Sequence, residues 1–136
     1  MASTLPDRLE QEHRRLDELF GGFVAAVEAG DPAAARAAIA DFDDALRRHT
    51  ADEEALALPA PAQRPLLPHD GEDAAARLVR ELRLEHVQVR ELSAMIRRLL
   101  DEKGDLEGAR RLAGNLARRW DAHTTREERE LFPGLG

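Results

Sequence analysis

The sequence predicts an all-α protein, an antiparallel up-down-up-down four-helix bundle. Aromatic residues are few, with four Phe, one Trp and no Tyr among 136 residues, whereas Ala, Leu, Arg and Glu are abundant; these abundant residues favour helices. Apolar residues also recur at alternating spacings of three and four along four segments, which is the pattern of helices that bury one face. No segment shows the alternating pattern of a strand.

The first two helices are marked by residues that start and stop helices. Thr4, or the serine before it, can cap the first helix, and Gly30 ends it. Asp31 and Pro32 then combine an N-cap with proline at the first helical position, and this second helix must stop at Pro59. Because the connection at 30–31 is short, the two helices are expected to be antiparallel neighbours.

The third and fourth helices have similar signals. The acidic segment 70–73 opens the third helix, where the helix dipole favours negative charge. Gly104 closes this helix and Asp105 caps the fourth, so these two helices should also be antiparallel neighbours. Pro133 and the glycine after it are expected to terminate the last helix.

Length, charge and composition set further limits. The chain 1–136 is long enough for a single domain, in which the proline-rich segment 59–70 forms a non-helical linker. Cys is absent, which excludes disulfides and thiolate ligands. A net charge of −7 argues against nucleic acid or an anionic membrane as a partner. With no signal-like or membrane-length apolar segment, we expect a soluble cytoplasmic protein.

A pattern of potential metal ligands occurs twice in the chain. In each copy a lone histidine is followed, on the next helix, by a histidine that precedes a glutamate by four positions. The second copy follows the first after 73 residues for the lone histidine and after 74 for the pair. The candidate ligands are His13, His49, Glu53, His86, His123 and Glu127.

The candidate ligands are expected to form one buried layer. All six continue the apolar rows of their helices, in which Ser93 is the only other polar member. At about 1.5 Å per residue, the histidines of each hairpin lie roughly 26–28 Å from the connecting turn, so they share one level. Buried glutamates without a counter-ion would be strongly unfavourable. Imidazole and carboxylate together suit iron, manganese or zinc and disfavour calcium or magnesium.

Simpler interpretations apply to single residues. A lone histidine on a helical face is more often a hydrogen-bonded core residue than a ligand, and the metal hypothesis depends on all six positions coinciding. His69 in the linker is expected to be solvated, and Trp120 to be core packing or also a wall of the centre. Glu54 and Glu128 are expected to be solvated or to contact the ligands from outside. On the apolar faces of the helices, no Tyr, Lys or spare carboxylate is expected close to the ligands.

The chain resembles the hemerythrin family, whose broad form is the HHE cation-binding domain. The resemblance lies in its Glu-His pairs, its two His-xxx-Glu motifs and the segment 131–133, Leu-Phe-Pro. It implies a four-helix bundle that holds two iron ions, oxo- or hydroxo-bridged, at the six candidate positions, with zinc or manganese as substitutes. Such centres bind dioxygen, nitric oxide or peroxide, or sense iron and oxygen.

One departure from the family's oxygen carriers affects the expected function. Carriers have a fifth histidine four residues from the first on the third helix, where this chain has Leu82 and Arg90. The resemblance then implies two histidines per metal, with Glu53 and Glu127 bridging both and an open position on each. We therefore expect binding or sensing of peroxide or nitric oxide rather than reversible carriage of dioxygen. The alternatives are a peroxidase- or catalase-like di-iron enzyme and an iron-storage or iron-sensing module; protein partners and homo-oligomers stay open.

Overall fold

The computed structural model describes residues 3–58 and 73–135. Four helices run along them: α1 (Leu5–Glu28), α2 (Pro32–Leu56), α3 (Ala74–Lys103) and α4 (Leu106–Arg126). A π turn, Glu127–Leu131, and a short 3-10 helix, Phe132–Leu135, continue from α4. The described residues contain no strand, which confirms the predicted all-α class. Among the helices described, none has both the length and the apolar character needed to cross a membrane.

The first hairpin begins and turns where the sequence predicts. The Thr4 side chain accepts a hydrogen bond from the Asp7 backbone N–H, and the Asp7 carboxylate accepts one from the Thr4 N–H. This reciprocal capping satisfies two N–H groups at the start of α1. Gly30 has a φ of +68°, a left-handed conformation that glycine adopts without steric cost. Asp31 then caps α2 by accepting from the Ala34 N–H.

The second hairpin also follows the sequence signals. Asp73 caps α3, Gly104 ends it with a φ of +59°, and Asp105 caps α4. The short turn makes α3 and α4 neighbours, as predicted. The predicted linker 59–70, including His69, lies outside the described residues.

The last helix departs from the prediction. The sequence predicts that it ends at Pro133, whereas α-helical geometry ends at Arg126 and the π turn and 3-10 helix continue to Leu135. The Phe132 N–H donates to the carbonyl of Glu127, five residues earlier, which is the hydrogen bond of a π turn. A regular α-helix would bring the ring of Pro133 against the carbonyl four residues before it, so a wider turn accommodates the proline. The π turn begins at a candidate ligand.

The four helices pack in a closed order, because each contacts its neighbour in the chain and α4 also contacts α1. Two apolar clusters fill the interior. The larger includes Phe23 and Phe42 and lies toward the interhelical turns. The smaller includes Leu9 and Phe132 and lies toward the opposite end. The level between the two clusters is occupied by the candidate ligands.

Most residues of the predicted apolar rows are buried in the structure, but some are exposed. Leu56 is 52% exposed because α2 ends there, and Ala75 in the first turn of α3 is exposed as well. Asp43 lies outside the predicted rows but is completely buried. It accepts hydrogen bonds from Ser93 at 2.8 Å and from Arg97 at 2.9 Å, both on α3. These bonds join α2 to α3, and Asp43 is the hydrogen-bond partner of Ser93, the polar row residue that is not a candidate ligand.

Candidate metal centre

The six candidate ligands lie at one level of the bundle. His13 comes from α1, His49 and Glu53 from α2, His86 from α3, His123 from α4, and Glu127 from the start of the π turn. None of them is more than 3% exposed. Their nitrogen and oxygen atoms form two overlapping groups, within each of which the atoms lie within 4.8 Å of one another. Each group contains the two histidines of one hairpin together with both glutamates.

Glu53 lies between the two groups. Its Oε2 atom is 3.2 Å from Nε2 of His49 and 3.7 Å from Nε2 of His13. Its Oε1 atom is 2.8 Å from Nε2 of His86. The carboxylate therefore presents one oxygen to each half of the centre, as a bridging carboxylate must.

Glu127 occupies a corresponding position on the opposite side. Its Oε1 atom is 3.1 Å from Nε2 of His13 and 3.1 Å from Nε2 of His123. Its Oε2 atom is 3.4 Å from Nε2 of His86. This second carboxylate also contacts histidines of both halves, although it begins a π turn rather than continuing an α-helix.

Most of the inward-facing atoms lack a hydrogen-bond partner despite these short distances. The buried atoms without a partner are Nε2 of His13, His49 and His123, Oε2 of Glu53, and both carboxylate oxygens of Glu127. Leaving one buried polar group unsatisfied typically costs about 1–3 kcal/mol, and more for a charged group. Six such atoms directed at one region are explained by a bound cation. The imidazole and carboxylate donors fit iron, manganese or zinc.

Four further glutamates bind the outward-facing nitrogens of the histidines. Glu12 lies 2.7 Å from Nδ1 of His49, Glu54 2.8 Å from that of His86, Glu85 2.8 Å from that of His123, and Glu128 3.0 Å from that of His13. Each glutamate comes from the helix, or its continuation, that precedes the histidine around the bundle. We call these four residues the outer glutamates. A carboxylate at Nδ1 requires Nδ1–H, and it directs Nε2 toward the centre.

The sequence predicts no spare carboxylate on the apolar faces beside the ligands, but four carboxylates outside those faces contact the ligands. Glu54 and Glu128 prove to be contacts of the ligands, and Glu12 and Glu85 had no assigned role. A sequence signal was present, because each outer glutamate adjoins a candidate ligand and recurs in both copies. Consecutive helical residues are about 100° apart around the axis, so the neighbour of an inward-facing ligand can face the adjacent helix.

Two aromatic rings border the centre. The Trp120 ring centroid is 5.5 Å from that of His13 and 6.0 Å from that of His123. The Trp120 Nε1–H donates to Oδ1 of Asp17 at 2.8 Å, so the indole links α4 to α1. On the other side, Phe132 stacks on His13 at 5.4 Å. Trp120 therefore packs in the core and forms a wall of the centre.

Three of the histidines have raised pKa values. Burial lowers the pKa of His13, but interactions with Glu127 and Glu53 outweigh it and raise the value to about 10. Burial lowers the pKa of His86 too, and the same two glutamates raise it to about 9. The pKa of His123 is also raised despite burial, chiefly by Glu127. Burial alone would raise the pKa of Glu53 and Glu127, but the histidines beside them lower it by more. Both carboxylates therefore stay negatively charged, and the centre favours a positive charge.

Comparison with known protein families places a match along nearly the whole chain. The family model described as the hemerythrin HHE cation binding domain covers residues 1–61 and 77–136. These ranges contain all six candidate ligands and all four outer glutamates. Searches of curated proteins and of solved structures give no significant match.

Proposed function

Because the chain belongs to the hemerythrin HHE cation-binding domain family, we propose that its buried centre binds two iron ions. Through them the protein binds or senses a small ligand: dioxygen, nitric oxide or hydrogen peroxide. One ion is assigned to the histidines of the first hairpin and one to those of the second. Glu53 and Glu127 would contribute to holding both ions.

The observation that carries this proposal is the set of unsatisfied atoms between the two apolar clusters. Six buried polar atoms point into one region without hydrogen-bond partners. The same carboxylates contact histidines from both hairpins. A pair of cations shared by two carboxylates explains both the unsatisfied atoms and the twofold repeat of the ligands.

The chain's own residues prepare this centre before any metal binds. Bound iron would supply Lewis-acid and redox chemistry at the level of the imidazoles. The outer glutamates hold a proton on Nδ1 of each histidine and orient the ring. The rings of Trp120 and Phe132 exclude water from the side of His13.

The site differs from that of an oxygen carrier because the third helix has no fifth histidine at the positions of Leu82 and Arg90. Leu82 is fully buried in the smaller apolar cluster. Arg90 donates to the Thr50 hydroxyl at 3.2 Å and to the Glu54 carboxylate at 3.3 Å. Neither is a metal ligand, so each half supplies two imidazoles. Two imidazoles in each half would leave room for a small ligand at both metals, which favours peroxide or nitric oxide over reversible dioxygen carriage.

The alternative function is a peroxidase- or catalase-like enzyme. Such an enzyme benefits from an acid–base group beside the reacting ligand. The outer glutamates do not fill this role, because they bind Nδ1 while the centre lies on the Nε2 side of each ring. Binding or sensing is therefore our preferred function, with catalysis and iron storage or sensing as alternatives.

Metal analysis of the full-length protein after anaerobic iron loading tests the metal proposal. We expect two irons per chain and, after oxidation, near-ultraviolet absorption typical of a bridged ferric pair. Glu53→Gln should lower the iron content. Glu102→Gln removes the same charge from an exposed position and should not lower it. Zinc alone, or no iron after loading, would contradict the proposal.

Two assays on the iron-loaded protein separate binding from catalysis. We expect nitric oxide to change the absorption spectrum of the di-ferrous protein stoichiometrically, and hydrogen peroxide to be consumed without multiple turnovers. Sustained peroxide turnover that is lost in Glu53→Gln would favour the enzyme instead. A stable, reversible dioxygen adduct would contradict the preference for peroxide or nitric oxide.

A further inference from the structure

The two halves of the centre are related by the internal repeat, so their surroundings can be compared position by position. Residues of α1 correspond to residues of α3 at an offset of 73, and residues of α2 to residues of α4 at 74. Glu12 is thereby equivalent to Glu85, and Glu54 to Glu128. These equivalent glutamates bind equivalent histidines.

The second half of the centre contains His86 and His123, whose outer glutamates are Glu54 and Glu85. Arginines lie against both of these glutamates. The carboxylate of Glu54 is 3.3 Å from Nη1 of Arg90 and 3.4 Å from Nη2 of Arg83. Glu85 accepts a 2.9 Å hydrogen bond from Nη1 of Arg126. The three arginine side chains are no more than 33% exposed, so water screens these pairs only in part.

In the first half, acids stand at the positions equivalent to these arginines. Glu10 corresponds to Arg83, Asp17 to Arg90 and Asp52 to Arg126. Each replacement changes the local charge by two units. At these three positions the repeat therefore reverses the charge, while it preserves the ligands.

The outer glutamates of the first half have weaker cationic partners. Arg8 lies 3.6 Å from Glu12, and its own side chain is 52% exposed. Within residues 3–58 and 73–135, the ion pair recorded for Glu128 is with His13. These carboxylates therefore keep more of their negative charge for the histidines that they bind.

The same contrast appears in two clefts beside the centre. The cleft between α1 and α2 is lined by Glu12, His49 and Asp52, together with Arg15 and Arg48. The equivalent cleft between α3 and α4 is lined by Glu85, His123 and Arg126, together with Arg119. Both clefts hold two arginines, but the first also holds two acidic residues and the second only one, so the first cleft is less positive by one charge.

We propose that the two metal positions are unequal: the position at His13 and His49 binds a divalent cation more tightly and fills first. The position at His86 and His123 is then the weaker and more electron-poor of the two. This inference rests on the proposed two-metal function and adds an order of filling to it.

The physical reason is the basicity of the ligand imidazoles. An unneutralised carboxylate at Nδ1–H draws the proton toward itself and makes Nε2 a stronger donor to a cation. An arginine on the same carboxylate reduces this effect, and its positive charge also repels a cation at the centre. Both contributions favour the first half, and they disfavour the second.

The order of filling is a better test than the ratio of the two dissociation constants. Two cations that share bridging glutamates repel each other, so even identical positions would give a weaker second binding step. Titration of the full chain with Zn²⁺, followed by ¹⁵N NMR of the histidine rings, identifies which rings bind first. We expect the first equivalent to shift His13 and His49, and the second to shift His86 and His123.

Charge variants test the cause of the order. Asp52 is exposed, and Asp52→Asn should weaken the first binding step by about two- to fivefold. Asp52→Arg, which copies the second half, should reduce or remove the preference. Asp41→Asn removes the same charge from an exposed site two turns away from His49 and should leave the order unchanged.

A second pair of variants changes the other half. Arg126→Gln should tighten zinc binding at His86 and His123, whereas Arg111→Gln, an exposed arginine near the opposite end, should not. Arg126 also bridges Glu81 and Glu130, so circular dichroism must show that the variant is folded. If it is not, the Asp52 variants decide the question.

The outcomes distinguish this inference from the proposed function. Absence of zinc binding in both halves would overturn the inequality, and absence of iron binding as well would overturn the proposed function. Binding of two zinc ions with simultaneous shifts of all four histidines, or with His86 and His123 first, would overturn the inequality alone. An order that survives Asp52→Arg would overturn the electrostatic cause.

Discussion

His49 combines burial with an incomplete set of hydrogen bonds. Its ring is buried, Nδ1 is bound by Glu12, and Nε2 faces the centre without a partner. We expect His49→Ala to reduce the metal content from two ions per chain to one or none. The free energy of unfolding of the loaded protein should fall by about 2 kcal/mol, because a buried side chain and a ligand are lost together. Metal analysis and thermal melting measure both effects.

A matched control uses the histidine that is not a candidate ligand. The sequence places His69 in the proline-rich linker, and His69→Ala should leave metal content and melting temperature unchanged. Two metal ions per chain in His49→Ala would refute the assignment of His49 as a ligand.

The raised histidine pKa values give the metal-free protein a distinctive pH dependence. The pKa values of about 10 for His13 and about 9 for His86 lie above the ordinary value of 6.5. Between these limits the folded chain binds more protons than the unfolded chain, so stability must fall as pH rises. We expect the stabilisation to be complete below pH 6.5 and lost as pH rises toward about 10.

Urea unfolding of the chelator-treated protein at several pH values measures this dependence. Zinc-loaded protein serves as the comparison, because metal replaces the protons on the histidines and should make the alkaline loss of stability smaller. A metal-free stability that rises from pH 6.5 to 9 would contradict the raised pKa values.

At the level of elements, the two hairpin turns depend on glycine. Gly104 has a φ of +59°, which an L side chain rarely adopts, although the space beside it is open. We expect Gly104→Ala to destabilise the protein by about 1 kcal/mol through backbone strain. Gly22, inside α1, has no atom within 4 Å of an added Cβ, and Gly22→Ala should stabilise by about 0.5–1 kcal/mol. Denaturant unfolding of both variants tests the opposite signs; equal effects would contradict this account.

The π turn shows how one element serves the site. It brings Glu127 and Glu128 to opposite sides of the His13 ring, at Nε2 and Nδ1 respectively. Phe132, which follows the turn, stacks on the same ring. Insertions of this kind are common at functional sites. The end of α4 therefore supplies a candidate bridge, a proton acceptor and an apolar cover to one histidine.

For the molecule as a whole, metal binding and folding should be linked. The six candidate ligands come from all four helices, so only the folded bundle brings them together. Each position that zinc occupies at 100 times its dissociation constant should raise the free energy of unfolding by about 2.7 kcal/mol. For a chain of this size the melting temperature should increase by roughly 5–10 °C for each occupied position.

Thermal melts over a range of zinc concentrations measure this linkage. The increase should be reversed by a chelator and should be smaller in His49→Ala. A melting temperature that does not depend on zinc would contradict a metal centre shared by the four helices.

The sequence alone determined the helices, their turns and the six candidate ligands. These features are local, because caps such as Asp31 and turn residues such as Gly104 act within a few positions. The spacing of His49 and Glu53 fixes a common helix face regardless of what lies opposite. Equal distances from the turns then placed the histidines at one level, and the structure has them there.

Only the tertiary structure decided which groups surround the ligands. Glu12 and Glu128 bind histidines 37 and 115 residues away, and Asp43 finds its partner Ser93 across the α2–α3 interface. Such contacts depend on which helices pack side by side and on the precise rotation of each, and the apolar periodicity specifies that rotation only approximately. The π turn at Glu127 likewise reflects packing and the proline beyond it. The chain's local pattern therefore predicted the candidate ligands, and the packing of its helices decided their hydrogen-bond partners and the charges around them.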